Sequence, residues 1–487
     1  MKNILILLLA SLSSLGQNQT GAVAQGSKAE LIDSYLGGLA KEKSFSGGVL
    51  IMQGTNVLLK KGYGWANREK QFPFTASTFG SIGSITKAFT ATAILKLVEM
   101  KKLKVKDPLS KFFSNVPADK KNITIHQLLT HSSGFVDFLE GDHGDFEKIE
   151  TNAFLNRAFK QPLVFAPGTK AVYTNVGMSV LGIIIEKITG MDYEKFLQSK
   201  VLAPVGINGI AYKYSDAQQD NMAHGYQSEK DWGTHQQRYE TAGGGPYWNL
   251  KANGGLEVSL DDMVRWVNAF TNKTILPDSL IQKMFSAQVL EEGYDGQSHF
   301  GYGCNISKSR RGTKMIDNGG SNGIYHARLI RLPEENVVFY LITNNNALNA
   351  NMVMPNITQL YFEGKITRDF AAQKFDHPVM NKLYELLTQN DPAQFQSLVE
   401  KEKLNVDDDM VLFEVGQKLT NEGQTEQAIA LYQYYNQAFP NIVVAWNELG
   451  ELYLQTNNKQ EAKKCFEQAL KLRPGNPRAT ENLKKLN

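Results

Sequence analysis

The chain has 487 residues, 42% of them hydrophobic and 21% charged, an ordinary globular composition long enough for two or three domains. Fifty-two Lys and Arg against 49 Asp and Glu leave a formal net charge of +3, too balanced for a nucleic-acid binder that works by bulk charge. Two widely separated cysteines, Cys304 and Cys465, exclude a disulfide framework or a paired-cysteine zinc site, so the fold must rest on its apolar core.

Met1 to Ala24 reads as a secretory signal peptide: Lys2 is the positive start, Ile4 to Ala10 the apolar run, and Ala22-Val23-Ala24 the cleavage site. A spanning helix needs about 20 apolar residues, and Ser11, Ser13, Ser14 and Gln17 interrupt this run. No later segment has a transmembrane pattern. The mature chain is therefore expected to start at Gln25 in a secreted or periplasmic protein. Gly47 to Met52 and Val57 to Leu59, around a polar break, predict a β-hairpin. Ala88, Phe89, Ala91, Ile94, Leu95 and Val98 mark one buried face of a long helix. Tyr212 to Trp248, rich in Gln, Asp, His and aromatics, reads as a lid, and Ser259 is placed to cap a helix with Asp262 in the box position. His326 to Leu332 and Val337 to Ile342 flank Pro333 to Asn336 as another hairpin. Strands at both ends with helices between them predict one antiparallel sheet with a helical insertion.

Beyond about Arg368, glycine becomes rare and helical spacing takes over. Trp446, Leu449, Gly450, Tyr453, Ala462, Phe466, Ala469 and Pro474 match a 34-residue tetratricopeptide signature. Val415, Gly416, Leu419, Ala428, Tyr432 and Pro440 form a looser copy in the same register. The chain thus divides into a signal at 1–24, a first domain at 25–370 and a helical domain at 371–487, with clearest repeats at 409–442 and 443–476. Helices between Asn381 and Leu404 and the tail after Pro477 are expected to cap the stack.

Ser84-Ile85-Thr86-Lys87 opens the long helix after Gly80 and Gly83. At a spacing of three, the Lys87 amine can reach the Ser84 hydroxyl. A serine becomes nucleophilic when a neighbouring base takes its proton, and a lysine is such a base only when burial lowers its pKa. The bland alternative is a capping serine with a solvated lysine. The segments Phe79 to Thr90, Ile94 to Glu99, Asp107 to Ser110 and Ile125 to Gly134 resemble the beta-lactamase family of serine hydrolases, class C type, which includes D-Ala-D-Ala carboxypeptidases and esterases. That resemblance spans Leu31 to Asn346. It implies an α/β sandwich of beta-lactamase/transpeptidase type, an antiparallel sheet plus a helical domain with the active site between them, followed here by the all-α tetratricopeptide-repeat domain.

The resemblance also implies roles. Tyr173 and Asn175 match the family's Tyr-x-Asn motif, in which Tyr and Lys share the nucleophile's proton and Asn orients lysine and substrate. The backbone N–H groups of Ser84 and Ser321 would form the oxyanion hole. Asn318, Gly319 and Gly320, with Asn253 and Gly254, would bind substrate. Asn318 departs from the family's Lys or His and cannot carry charge, which places recognition of a substrate carboxylate in question. Arg310, Arg311 and Lys314 lie near in sequence, but on a turn they read as solvated. No HExxH pattern or clustered carboxylates accompany His126 and His131, so neither a metal nor a cofactor is expected. The expected function is an exported serine hydrolase acting through an acyl-enzyme on an ester, peptide or amide, with efficient β-lactam turnover less favoured. The alternative is a non-catalytic binding module whose repeats hold a protein or peptide partner.

Overall fold

The computed structural model describes residues 26–486, apart from 43–44, 142–143, 210–220, 228–229, 293–297, 347, 367, 370–373, 376–377, 407–408 and 474–475. The signal-peptide segment, part of the lid segment and Pro474 lie outside the described residues.

Among the described residues an eight-stranded sheet forms from β1 (Gly47–Gln53), β2 (Asn56–Tyr63), β3 (Val289–Leu290), β4 (His299–Phe300), β5 (Asn305–Lys308), β6 (Lys314–Ser321), β7 (His326–Leu332) and β8 (Val337–Thr343). The order is β2-β1-β8-β7-β6-β5-β4-β3, with antiparallel neighbours throughout. Both predicted hairpins are present. They meet where β1 pairs with β8, Gly47 opposite Thr343, so distant parts of the chain close the sheet. Every residue of β8 is buried, as its uninterrupted Val/Phe/Tyr/Leu/Ile run demands of a strand covered on both faces.

The strand period of two sorts the side chains into two cores. Val49 and Ile51 join Phe339 and Leu341 beneath α1 (Gly26–Lys41), while Leu50 and Met52 join Tyr340 and Ile342 in the larger core of the opposite face. The helical lobe on that face includes α2 (Thr86–Glu99) and α3 (Asn175–Thr189). The spacing in α2 suggested one apolar face, but the helix is buried nearly all round, Lys87, Thr90 and Thr92 included. Its polar groups are satisfied in place: the Thr90 hydroxyl donates to the Ala252 carbonyl at 2.7 Å and that of Thr92 to the Ala88 carbonyl at 2.7 Å. Phe89 stacks on Trp266 at 3.8 Å. Ser259 accepts the Asp262 N–H at 3.1 Å, as a cap should, but Asp262 takes the Ser259 hydroxyl and does not return to the cap's backbone. Aspartate is one methylene shorter than the Glu of a reciprocal box.

After α4 (Ala350–Glu363), which shares the core beneath α1, come α5 (Pro378–Gln389), α6 (Phe395–Lys401), α7 (Asp409–Asn421), α8 (Thr425–Ala438), α9 (Val443–Gln455), α10 (Lys459–Leu472) and α11 (Pro477–Leu486). They share a separate core that includes Val415, Leu419, Tyr432, Leu449 and Phe466. The signature glycines are required by helix approach: a Cβ on Gly450 would stand 2.6 Å from the Phe466 ring, and one on Gly416 2.5 Å from Tyr432.

Candidate active site

Ser84 sits in a single 3-10 turn, Gly83–Ile85, that feeds α2. Gly83 has φ +48, and a Cβ there would meet the Ser321 backbone nitrogen at 2.5 Å, so both conformation and space demand glycine. One turn on, Lys87 is 2% exposed. Its Nζ lies 3.0 Å from Ser84 Oγ, 2.7 Å from Asn175 Oδ1 and 2.8 Å from the Asn253 carbonyl. The last two atoms accept only, so they consume two N–H bonds. A neutral amine then has one lone pair left, and it faces Ser84 Oγ. Burial holds the Lys87 pKa down at about 7, against the pull of the Asp137 and Asp145 carboxylates. The neutral, proton-accepting form is therefore well populated near neutral pH.

Tyr173 donates its hydroxyl to Ser84 Oγ at 2.6 Å. Burial and the Asp137 carboxylate push the phenol above its ordinary pKa, so it keeps its proton and is the donor of this hydrogen bond. The tyrosine ring is wedged against His131, with centroids 4.8 Å apart. His131 Nδ1 accepts the Thr174 N–H at 3.2 Å. Burial and the nearby positive charges of Lys87 and Arg473 hold its pKa down at about 3, so the imidazole is neutral. Thr174 caps α3, leaving the Asn175 backbone N–H free to reach Asp137 Oδ1 at 3.0 Å. Asn175 Nδ2 donates to the same oxygen at 3.0 Å. An acceptor-only carboxylate on one end of the amide turns the amide oxygen toward Lys87. Asp137 is 5% exposed, and burial raises its pKa against the lowering effects of Arg473, the Asn175 N–H and Lys87.

On the sheet side, β5 pairs with β6 only as far as Asp317, leaving Asn318 to Ser321, among the described residues, without a strand partner on that edge. A Cβ on Gly320 would stand 1.9 Å from the Ile82 carbonyl oxygen and 3.0 Å from the Ser84 nitrogen. The expected oxyanion amides of Ser84 and Ser321 are thus neighbours across a backbone contact that tolerates only glycine.

Three residues read as substrate-binding are placed otherwise. Asn318 is turned beneath the strand, 5% exposed, with Nδ2 donating to the Gly303 carbonyl at 2.7 Å. It does not line the cleft, because the period of two directs its side chain toward α2 while Gly319 faces out. Asn253 is also buried: its carbonyl holds Lys87, and its amide donates to Ser179 Oγ and the Asn249 carbonyl, each at 2.9 Å. Gly254 packs against Leu250 and outside the cleft lining. The described part of Tyr212 to Trp248 forms no lid over the serine. Its Tyr226, His235, Tyr239 and Trp248 are buried, and none of its described residues lines the cleft.

The cleft, about 1430 Å³, is lined by Ser84, Tyr173, Asn175 and Ser321, and also by Arg473 from the repeat domain. Asp137, His131 and Arg473 escaped sequence reasoning. The first two lie in or beside Ile125 to Gly134, a segment that carries the family resemblance without pointing to a polar role for either, and Arg473 lies in a repeat whose signature explains only its helical neighbours. Among the described residues one group of metal-type side chains converges, Glu69, His224 and Asp231 within 4.8 Å. These do not line the cleft, and protein partners engage them: His224 Nδ1 lies 3.0 Å from Asp231, and Glu69 accepts the Tyr226 hydroxyl at 2.8 Å.

A sequence model of the beta-lactamase family matches residues 32–360, and a tetratricopeptide-repeat model matches residues 443–476. Protein flp of Staphylococcus aureus is 31% identical over 184 residues, 37% of this chain and 37% of that protein. The chain spans less than half the length of the first curated relatives it matches. Among solved structures, the octameric penicillin-binding protein homologue from Pyrococcus abyssi aligns with a TM-score of 0.59 and 26% identity, over 74% of this chain and 82% of that one. A penicillin-binding protein from Bacillus halodurans aligns with a TM-score of 0.57 and 25% identity, over 69% of this chain and 99% of that one. No described helix is long and apolar enough to cross a membrane.

Proposed function

The chain belongs to the beta-lactamase family, and from that premise we propose that it is an exported serine hydrolase that forms an acyl-enzyme on Ser84. The coordination of Lys87 carries this reading: two carbonyl acceptors fix its hydrogens, and the lone pair is left for the serine proton. In the proposed cycle Lys87 takes that proton as Ser84 Oγ attacks the substrate carbonyl. The Ser84 and Ser321 N–H groups receive the oxyanion. The bond to the leaving group then breaks, Tyr173 protonates that group, and the Lys87 ammonium restores the tyrosine's proton. Water enters, gives a proton back through the same pair, and releases the acyl group and Ser84 hydroxyl.

Export is inferred from the pattern of residues 1–24. With Asn318 buried beneath the strand, that position offers the cleft neither the Lys nor the His that the family resemblance expects, and for that reason we favour an ester or peptide-like substrate over efficient β-lactam turnover. A non-catalytic role would leave unexplained why a lysine is buried against a serine at a cleft with its pKa brought down to about 7. Turnover of a chromogenic ester and a chromogenic cephalosporin, with fluorophosphonate labelling, tests the reading. Wild type should label at Ser84 and cleave the ester, and Ser84→Ala should do neither. A wild-type protein inert to both substrates and to the probe would refute the proposal.

A further inference from the structure

Arg473 is the residue at which α10 ends, and its backbone N–H closes the last turn on Ala469 at 2.8 Å. Its side chain leaves the repeat and enters the cleft that holds Ser84. The guanidinium carbon lies 5.6 Å from the Tyr173 ring centroid, within cation–π range. Its Nη2 stands 3.5 Å from Asp137 Oδ2, an ion pair longer than a good hydrogen bond. The side chain is 36% exposed; the Asp137 and Glu291 carboxylates share its side of the cleft and feel its charge, yet among the described residues no contact of hydrogen-bond length holds its five-donor fork.

Other arginines on the same wall are already committed. Arg328 is held by Asp317 through bonds of 3.2 and 2.8 Å. Arg478 is held by Glu448 at 2.9 Å and by both oxygens of Glu451 at 2.8 and 2.7 Å. The strand position at which the family resemblance expects Lys or His is occupied by Asn318, buried and bonded elsewhere. A guanidinium with open donors, beside the catalytic tyrosine and in a site whose strand carries the neutral Asn318 where the family resemblance expects Lys or His, is suited to bidentate capture of a carboxylate.

We propose that Arg473, contributed by the helical repeats, binds a carboxylate on the leaving portion of the substrate and so supplies the cation that Asn318 does not. The inference rests on the hydrolase reading above. The leaving portion is assigned because Arg473 lies against Tyr173, the group that protonates what departs. The repeat domain then completes the active site, and the favoured substrates are acyl compounds whose leaving group is anionic.

The test uses the full chain and two nitrophenyl esters alike except that the leaving phenol carries either a carboxylate or a carboxamide. The readout is the ratio of kcat/KM for the two. Wild type should prefer the carboxylate ester, and Arg473→Gln should reduce that ratio by at least about tenfold, chiefly through KM. Arg473→Lys, which keeps the charge but loses the fork, should recover part of it. Lys314→Gln, removing another cation of the wall, should leave the ratio within about threefold of wild type. An unchanged ratio in Arg473→Gln overturns the proposal, as does a wild type without preference or a ratio that falls only in Lys314→Gln. Fluorophosphonate labelling of wild-type Ser84 separates the two levels. Labelling with an unchanged ratio removes only the role of Arg473, whereas no labelling and no turnover removes the hydrolase reading and this inference with it.

Discussion

The Ser84 cluster and the repeat stack reach order by opposite routes. The cluster gathers residues from five distant segments: Ser84 and Lys87, His131 and Asp137, Tyr173 and Asn175, Asn253, and Ser321. Each polar contact there fixes the next one, from Asp137 to Asn175 to Lys87 to Ser84. In the repeats each helix mainly meets its sequence neighbours, and glycine against aromatic is the recurring contact. A site built non-locally should fail as a unit, and a stack built locally should fail one layer at a time.

The largest expected effect is at the head of that chain of contacts. Ser84→Ala or Lys87→Met should each lower kcat/KM by at least about 10³-fold. The double variant should be little worse than either single one, because the two act as one device. Additive losses, measured on a soluble ester with circular dichroism to verify folding, would show that serine and lysine work separately.

Next in size is the backbone contact between strand and turn. Gly320→Ala would place a Cβ 1.9 Å from the Ile82 carbonyl oxygen, so the strand must retreat from Ser84. We expect a loss of about 100-fold in kcat/KM and about 1–3 kcal/mol of stability. Gly319→Ala, one residue away, meets nothing within 4 Å and should change stability by less than about 0.5 kcal/mol. Urea melts and ester turnover of the pair separate the two positions, and similar behaviour of both would refute the contact.

A smaller, pH-dependent effect comes from Asp137. If neutral Lys87 is the base, kcat/KM should rise with unit slope toward pH about 7 and level off above it. The Asp137 carboxylate favours the ammonium form and so raises the Lys87 pKa. Asp137→Asn should therefore move the acid limb to lower pH, with a loss of about tenfold at the plateau from looser Asn175 positioning. A limb that stays in place or moves upward would disconnect Asp137 from the lysine.

Legibility in the sequence follows the same division. The hairpins, the sheet with its helical insertion and the repeats were readable because each is a periodic or short-range pattern: apolar runs on either side of a polar break in the two hairpins, Gly450 and Phe466 in register with Gly416 and Tyr432. Ser84, Lys87, Tyr173 and Asn175 were readable from short motifs. The orientation of Asn318 was not, since a strand residue's face depends on the register of β6 against β7. Asp137 stands 38 positions from the amide it orients, and Arg473 is on another domain. No local periodicity records either relation.

The smallest expected effect on the site comes from the repeats, and it tests how far the locality of that domain extends. Gly450→Ala would bring a Cβ to 2.6 Å from the Phe466 ring. The ring is the far end of a side chain, so it can shift, but it is fully buried and has little room. A cost of about 1–3 kcal/mol is expected, as for other overpacked contacts. Hydrogen exchange should show lost protection in α9 and α10, with β1 and β8 unaffected. Labelling of Ser84 by a neutral fluorophosphonate should stay within about threefold of wild type, since no serine contact is touched. Loss of labelling in step with loss of protection would mean that the two domains unfold as one cooperative unit, and the contrast between a non-local site and a local stack would not hold.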